Sequence, residues 1–334
     1  MTTDVSPLET ILPGEDEATE RLTERLRRMM VERDREGTQR RDVHVKSHGT
    51  LRAEFTVDAE LAPELRVGLF AAPATYPAWV RLSSSANEAK ADGARDIRGL
   101  AIKVMGVPGR KILEGQEDET TQDLILISCP VFPTRDAAGF DGLVAAVIGS
   151  LLHKLVYFLT HPRVGWILLQ TMLRHANPLQ IRYWSAVPFL FGERAVKWGL
   201  VPRSGLRDEL PFDLPENALR LAAAAELARG EVVYDFCVQF QQGAMPVEDP
   251  RVAWDEAVSP MRKVATLEIL QQDFDTDERN ALGENLSFTP WHSLPEHRPL
   301  GSVNRSRKRM YQTLSALRHQ LNRAPQREPK GWES

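Results

Sequence analysis

The sequence predicts an α+β protein in which an antiparallel β-barrel is surrounded by helices. Short stretches of alternating apolar and polar residues recur along the chain, and in 232–240 this alternation puts Val232, Tyr234 and Phe236 on one face. About eight such stretches are expected to be strands. They do not alternate regularly with helices, so the chain lacks the pattern of a parallel sheet.

Period-two alternation places the strands, and helical periodicity places the helices between and around them. Leu22, Leu26 and Met29 lie at helical spacing in a charged N-terminal helix at 15–36, and Gly37 follows its end. The other helices are expected as a pair within 135–176, and at 215–229 and 303–323. The strands are expected at 51–57, 79–83, 100–104, 124–128, 195–201, 232–240 and 265–270. These elements suggest an N-terminal helical arm at 1–37, a barrel domain at 38–323 and a C-terminal tail at 324–334.

The composition fits a globular protein without a nucleic-acid partner. Of its 334 residues 42% are hydrophobic, which is enough for a sizeable core, and the net charge of −4 disfavours polyanion binding. Cys129 and Cys237 are too few for a disulfide framework. The acidic start of the chain lacks the apolar core of a signal peptide, so we expect a cytoplasmic location.

The most apolar region, 143–173, predicts a helical hairpin. Its two apolar runs, 143–152 and 164–173, are each shorter than the roughly 20 residues that cross a bilayer. Packing against the rest of the protein is one interpretation. A lid over the substrate entrance, a face for a homo-oligomer and a peripheral membrane or lipid contact are the alternatives.

A tyrosine near the C-terminus could bind iron. Arg307 and Tyr311 form an R-x-x-x-Y motif in the basic stretch 304–323. Tyrosine is one of the axial ligands of haem iron, but it binds as a phenolate and free tyrosine titrates near pH ~10. An arginine one helical turn away favours the phenolate. A solvated basic helix is the alternative interpretation of this motif.

Further motifs in the N-terminal half strengthen the haem interpretation. They read R-x-x-H at 41–44, V-R-x-S at 80–83 and R-D-x-R-G-x-A-x-K at 95–103, followed by a segment at 123–132. Together with R-x-x-x-Y, and in this order, they resemble the catalase family over roughly 38–323. The chain is similar to the short catalase-related haem peroxidases, since it has no room for the wrapping and C-terminal domains of large catalases.

The resemblance implies haem b as the cofactor and gives roles to single residues. His44 would be the acid and base that moves a proton between the two peroxide oxygens, and Ser83 would orient it. Tyr311 would be the metal ligand, with its pKa lowered by Arg307. The remaining cofactor-binding residues that it implies are three arginines for the haem propionates and one aromatic ring over the haem: Arg41, Arg81, Arg318 and Phe140.

The sequence departs from the family at the asparagine that holds peroxide over the iron. Either Ile127 or Ser128 takes its place, and only Ser128 offers a hydrogen bond, so we include Ser128 among the catalytic residues. This change predicts weak or no catalase activity. We therefore expect a peroxidase that reduces hydrogen peroxide or, preferentially, organic and lipid hydroperoxides through a ferryl intermediate, with a small-molecule electron donor. A fatty-acid hydroperoxide isomerase or lyase and a non-catalytic haem-binding protein are the alternatives.

Overall fold

A computed structural model describes residues 6–34 and 37–333, and its centre is an antiparallel β-barrel surrounded by helices. The strands are β1 Ser47–Val57, β2 Thr75–Ser84, β3 Arg98–Met105, β4 Thr121–Ile127, β5 Tyr183–Trp184, β6 Phe189–Phe191, β7 Arg194–Pro202, β8 Val232–Phe240 and β9 Arg262–Ile269. The helices are α1 Glu15–Arg33, α2 Ala137–Ile148, α3 Leu151–Thr160, α4 Pro162–Thr171, α5 Ala218–Leu227, α6 Asp277–Asn285 and α7 Ser302–Asn322.

Eight of the strands close into a ring in the order β5-β4-β3-β2-β1-β9-β8-β7. The ring closes because β5 pairs with β7 as well as with β4, while β6 pairs with the other end of β7 and lies outside the ring. Every pairing is antiparallel. The predicted fold class, an antiparallel barrel with surrounding helices, is confirmed.

The barrel interior is filled by aromatic and aliphatic side chains. Phe236 meets Phe55 edge to face with 5.2 Å between ring centroids and stacks on Phe70 at 5.9 Å. His297 belongs to the same group of rings, and its Nε2 accepts a hydrogen bond of 3.0 Å from the backbone N–H of Leu69. Burial lowers the pKa of His297 to about 4, so it is held in the core as a neutral imidazole.

The helices depart from the prediction in the region 135–176, which holds three helices. Ser150 separates α2 from α3 because its hydroxyl caps α3, accepting a hydrogen bond of 3.3 Å from the N–H of His153. Pro162 then starts α4 at a first-turn position, where its missing N–H costs nothing.

Helix α1 ends at Arg33, and the rest of its predicted extent includes residues 35 and 36, which lie outside the described residues. In the described part of the chain, no helix is both long and apolar enough to cross a membrane. The domain boundaries stay a prediction.

A buried ion cluster ties the C-terminal segment to the barrel. Lys103 on β3 donates hydrogen bonds of 2.6 Å to Asp123 on β4 and 2.6 Å to Glu328, and the hydroxyl of Thr121 donates to Glu328 at 2.8 Å. The side chains of Lys103 and Asp123 are fully inaccessible to solvent. Removing one charge of such a cluster leaves its partners buried and unpaired, which costs far more than the loss of an exposed pair.

We expect Lys103→Met to lower the free energy of unfolding by about 3–5 kcal/mol. The matched control is Lys263→Met, because Lys263 pairs with Asp58 at 2.6 Å but is one third exposed, and its loss should cost about 0–1 kcal/mol. Denaturant unfolding followed by circular dichroism measures both. Equal losses in the two variants would contradict a special role for the buried cluster.

Candidate active site

A cavity lies between the outer face of three barrel strands and helix α7, with about 840 Å³ of space between its walls, including the part open to solvent. Residues at alternating strand positions share a face, so cross-strand neighbours form rows along the first wall. The register of β2, β3 and β4 gives two such rows, Arg81–Ala101–Ile125 and Ser83–Gly99–Ile127.

The second wall is one face of α7. Arg307 and Tyr311 are one turn apart, and Arg318 follows two turns after Tyr311, so all three project from the same side of the helix. Phe288 and Met30 extend this wall. Helix α7 is held by α1 and α2 through a small apolar cluster that contacts Tyr311 as well.

His44 enters the cavity from the loop before β1. Its backbone has the left-handed φ of 56°, and its N–H donates to the carbonyl of Ser85 at 3.3 Å. The imidazole Nδ1 lies 2.9 Å from Ser83 Oγ, and the carbonyl of His44 accepts a hydrogen bond of 3.1 Å from Arg81. Burial, and then the charges of Arg81 and Arg307, lower the pKa of His44 to about 3. His44 is therefore a neutral proton acceptor at physiological pH.

Gly99 is a site residue that the sequence did not identify. A Cβ at this position would lie 2.6 Å from both Nδ1 and Cε1 of His44 and 2.8 Å from Ser83 Oγ. The imidazole can therefore lie against β3 only because residue 99 has no side chain. Gly99 stands inside the R-D-x-R-G motif, but nothing in that motif shows that its glycine faces His44.

Three arginines meet at one end of the cavity beside the carboxylate of Glu284. Glu284 lies 3.4 Å from Arg41 and 3.6 Å from Arg81, and its backbone carbonyl accepts a hydrogen bond from Arg318. Burial, followed by the charge of Arg41, lowers the pKa of both Arg81 and Arg318 to about 9. Among the described residues, Nε of Arg81 finds no hydrogen-bond partner. This end of the cavity thus has excess positive charge and suits an anionic group.

Tyr311 lies between a cation and an anion. Burial raises the pKa of its phenol, Arg307 opposes this shift, and Asp42 adds to it. The Arg307 guanidinium donates a hydrogen bond of 3.3 Å to the side-chain oxygen of Asn304. Its Cζ also lies 5.2 Å from the ring centroid of Phe132. Without a bound cation, Tyr311 is a neutral phenol. A metal ion at the phenol oxygen would favour the phenolate.

The structure brings seven of the nine predicted site residues to the cavity wall: Arg41, His44, Arg81, Ser83, Arg307, Tyr311 and Arg318. Ser128 is not on the wall, since its hydroxyl accepts a hydrogen bond of 2.9 Å from the backbone N–H of Arg98, and Ile127 faces the cavity instead. Phe140 is also outside the wall and packs edge to face on Phe132 at 5.1 Å. The roles of all nine residues stay predictions.

Besides Gly99, sequence reasoning missed Glu284 and Asp42. Asp42 lines the cavity, and its buried Oδ2 has no hydrogen-bond partner within the described ranges. Asp42 stands inside the R-x-x-H motif at a position that the motif leaves open. Glu284 is more than 200 residues away from Arg41 in sequence, so no local pattern links the two.

Comparisons with known proteins find similarity to catalases. Residues 21–150 match the catalase family model. A fungal catalase is similar in structure, with a TM-score of 0.69 and 18% identity over 86% of this chain and 61% of the catalase. Catalase A from Saccharomyces cerevisiae has a TM-score of 0.66 and 14% identity over 86% of this chain and 62% of the catalase. The chain thus spans less than two thirds of the length of these catalases. No curated protein matches its sequence.

We expect Gly99→Ala to displace the His44 ring, because the added methyl group would overlap it, and to lower the free energy of unfolding by about 1–3 kcal/mol. Gly230→Ala is the control, since a Cβ at Gly230 meets no atom within 4 Å. A crystal structure of each variant and a denaturant titration measure the two effects. An undisturbed contact between His44 and Ser83 in Gly99→Ala would refute the steric argument.

Proposed function

We propose that the chain is a haem b-dependent peroxidase of the catalase family, because residues 21–150 match the catalase family model and the fold is similar to that of two catalases. The family implies an oxidoreductase that acts on peroxide. The proposed substrates are organic and lipid hydroperoxides in preference to hydrogen peroxide, and the reductant is a small-molecule electron donor. The observation that carries this preference is the apolar wall beside His44, where Ile127 faces the cavity.

The residues of the cavity fit a haem. Two propionates would neutralise the charge of Arg41, Arg81 and Arg318, which exceeds that of the neighbouring carboxylates of Glu284 and Asp42. Tyr311 offers a phenolate oxygen as the iron ligand, with Arg307 favouring the ionised form. When bound, the haem would supply the electrons and the Lewis-acid centre for cleavage of the peroxide O–O bond.

His44 supplies the proton transfer that this cleavage requires. Its Nδ1 is engaged by Ser83, so Nε2 is the nitrogen left to face a peroxide. The neutral imidazole accepts the proton from the hydroperoxide and returns it to the leaving oxygen, which departs as an alcohol or as water. Ser83 and Gly99 fix the orientation of the ring during both transfers.

The wall around His44 decides which peroxide binds well. Ala101, Ile125 and Ile127 provide methyl and methylene groups along β3 and β4. The hydroxyl of Ser128 is committed to the backbone of Arg98. Such a wall favours a hydroperoxide with an alkyl group over hydrogen peroxide, whose second oxygen requires a polar partner.

A hydroperoxide isomerase or lyase is the second candidate, because the same apolar wall suits a fatty-acid hydroperoxide that rearranges without a donor. Product analysis with and without a phenol donor separates the two activities. A protein that binds haem but turns over no peroxide would be the non-catalytic alternative. The cytoplasmic location and a homo-oligomeric state stay predictions.

We expect Ile127→Asn to raise the ratio of kcat/KM for hydrogen peroxide to that for cumene hydroperoxide by about tenfold, because an amide on the wall holds the small polar peroxide. The matched control is the neighbouring Ser128→Ala, which should change this ratio less than about twofold since Ser128 is off the wall. Steady-state kinetics with a phenol donor measure both. A larger change in Ser128→Ala than in Ile127→Asn would reverse the assignment.

Variants of His44 and of Tyr311 should differ in their absorption spectra and in their rates of reaction with peroxide. His44→Asn should retain the haem and its tyrosinate-type spectrum but react with peroxide about 10²–10⁴-fold more slowly, and Asn tolerates the left-handed backbone at this position. Tyr311→Phe should lose that spectrum. A spectrum that survives Tyr311→Phe would exclude the ligand assignment, and unchanged peroxide reactivity in His44→Asn would exclude its role in proton transfer.

A further inference from the structure

Helices α3 and α4 expose a row of apolar side chains that no other described part of the chain covers. On α3 the row has the spacing of a single helix face, and its members include Leu151, 82% exposed, and Leu159, 71% exposed. Trp166 and Leu169 form the same kind of row on α4. We call this set the hairpin face: Leu151, Leu152, Leu155, Val156, Leu159, Trp166 and Leu169. An exposed apolar surface of this extent marks an interaction site.

The hairpin face is not needed to hold the two helices on the protein. Their opposite sides do this, because Tyr157 of α3 and Val164 of α4 share one buried cluster with Leu143 and Ala146 of α2. Tyr157 also stacks on His161 between the two helices, with ring centroids 4.2 Å apart. The hairpin is therefore anchored through its inner side, and its outer side is free to bind something else.

The hairpin itself carries charges of one sign, although Lys154 lines a surface cavity that also contains Glu20 and Glu24 of α1. The segment 142–192 contains no aspartate or glutamate, but it carries Lys154, Arg163, Arg174 and Arg182. Lys154 stands on α3 and Arg163 in the first turn of α4. An apolar face bordered by cations is complementary to a membrane surface with anionic headgroups.

We propose that the hairpin face docks on an anionic lipid bilayer. Each helix has 10 residues, which is far too short to cross the bilayer, so the hairpin lies in the interface plane. Trp166 is of the residue type that favours the headgroup level. A second copy fits less well, because a twofold contact between identical faces would bring their cations together. The proposal does not rest on the proposed enzymatic function.

Flotation of the full chain with lipid vesicles tests the proposal. The protein should float with vesicles of phosphatidylcholine and phosphatidylglycerol, and less with phosphatidylcholine alone or at high salt. The double variant Leu155→Gln, Leu159→Gln should bind at least about tenfold more weakly. The control is Leu221→Gln, Val258→Gln, which changes two side chains that are 55% and 54% exposed elsewhere on the protein.

Circular dichroism of the variants checks that they fold, which is expected because the substituted side chains are exposed. Flotation lost equally in the hairpin and control variants would overturn the proposal, and so would no flotation of the natural chain. A concentration-dependent dimer in light scattering, abolished by the hairpin variant but not by the control, would assign the face to a second copy and also overturn it. Weaker flotation of Lys154→Glu, Arg163→Glu with anionic vesicles would support it.

Discussion

The candidate site depends on the burial of three guanidinium groups beside the carboxylates of Glu284 and Asp42. Arg41 comes from the loop before β1, Arg81 from β2 and Arg318 from α7, and Glu284 is the acid that faces Arg41 and Arg81. Their mutual repulsion in a buried place is tolerable only where an anion compensates it. Because the arginines come from both walls, the anion that compensates them links the helix wall to the strand wall. The excess positive charge also makes this end of the cavity selective for an acidic ligand.

The positive charge of the arginines lowers the pKa of both groups that are expected to do the chemistry. Arg81 and Arg307 help to keep His44 unprotonated, so that it can accept a proton. Arg307 also favours the phenolate of Tyr311, against burial and Asp42. One set of cations thus prepares a base on the strand wall and an anionic ligand on the helix wall.

Sequence patterns predicted the longer strands, α1 and α7, because period-two and helical spacing are local properties. They did not predict β5, which at two residues is too short to show any period. In the site, the motifs pointed to His44 and Tyr311, but Glu284 meets its arginines only through the tertiary fold. The choice between Ile127 and Ser128 needed the strand register, because a shift by one residue moves a side chain to the other face.

The barrel has one weakly paired junction, or seam, which is formed by the two-residue strand β5. This seam adjoins the cavity. Strand β5 contributes one residue pair to β4, Ile127 with Trp184, and two pairs to β7, whereas each of the other junctions around the ring has at least five. Opening the ring there breaks fewer backbone hydrogen bonds than opening it elsewhere. Ile127 belongs both to this weakly paired junction and to the cavity wall. Local opening of the barrel would therefore displace a side chain at the place where the peroxide is expected to bind.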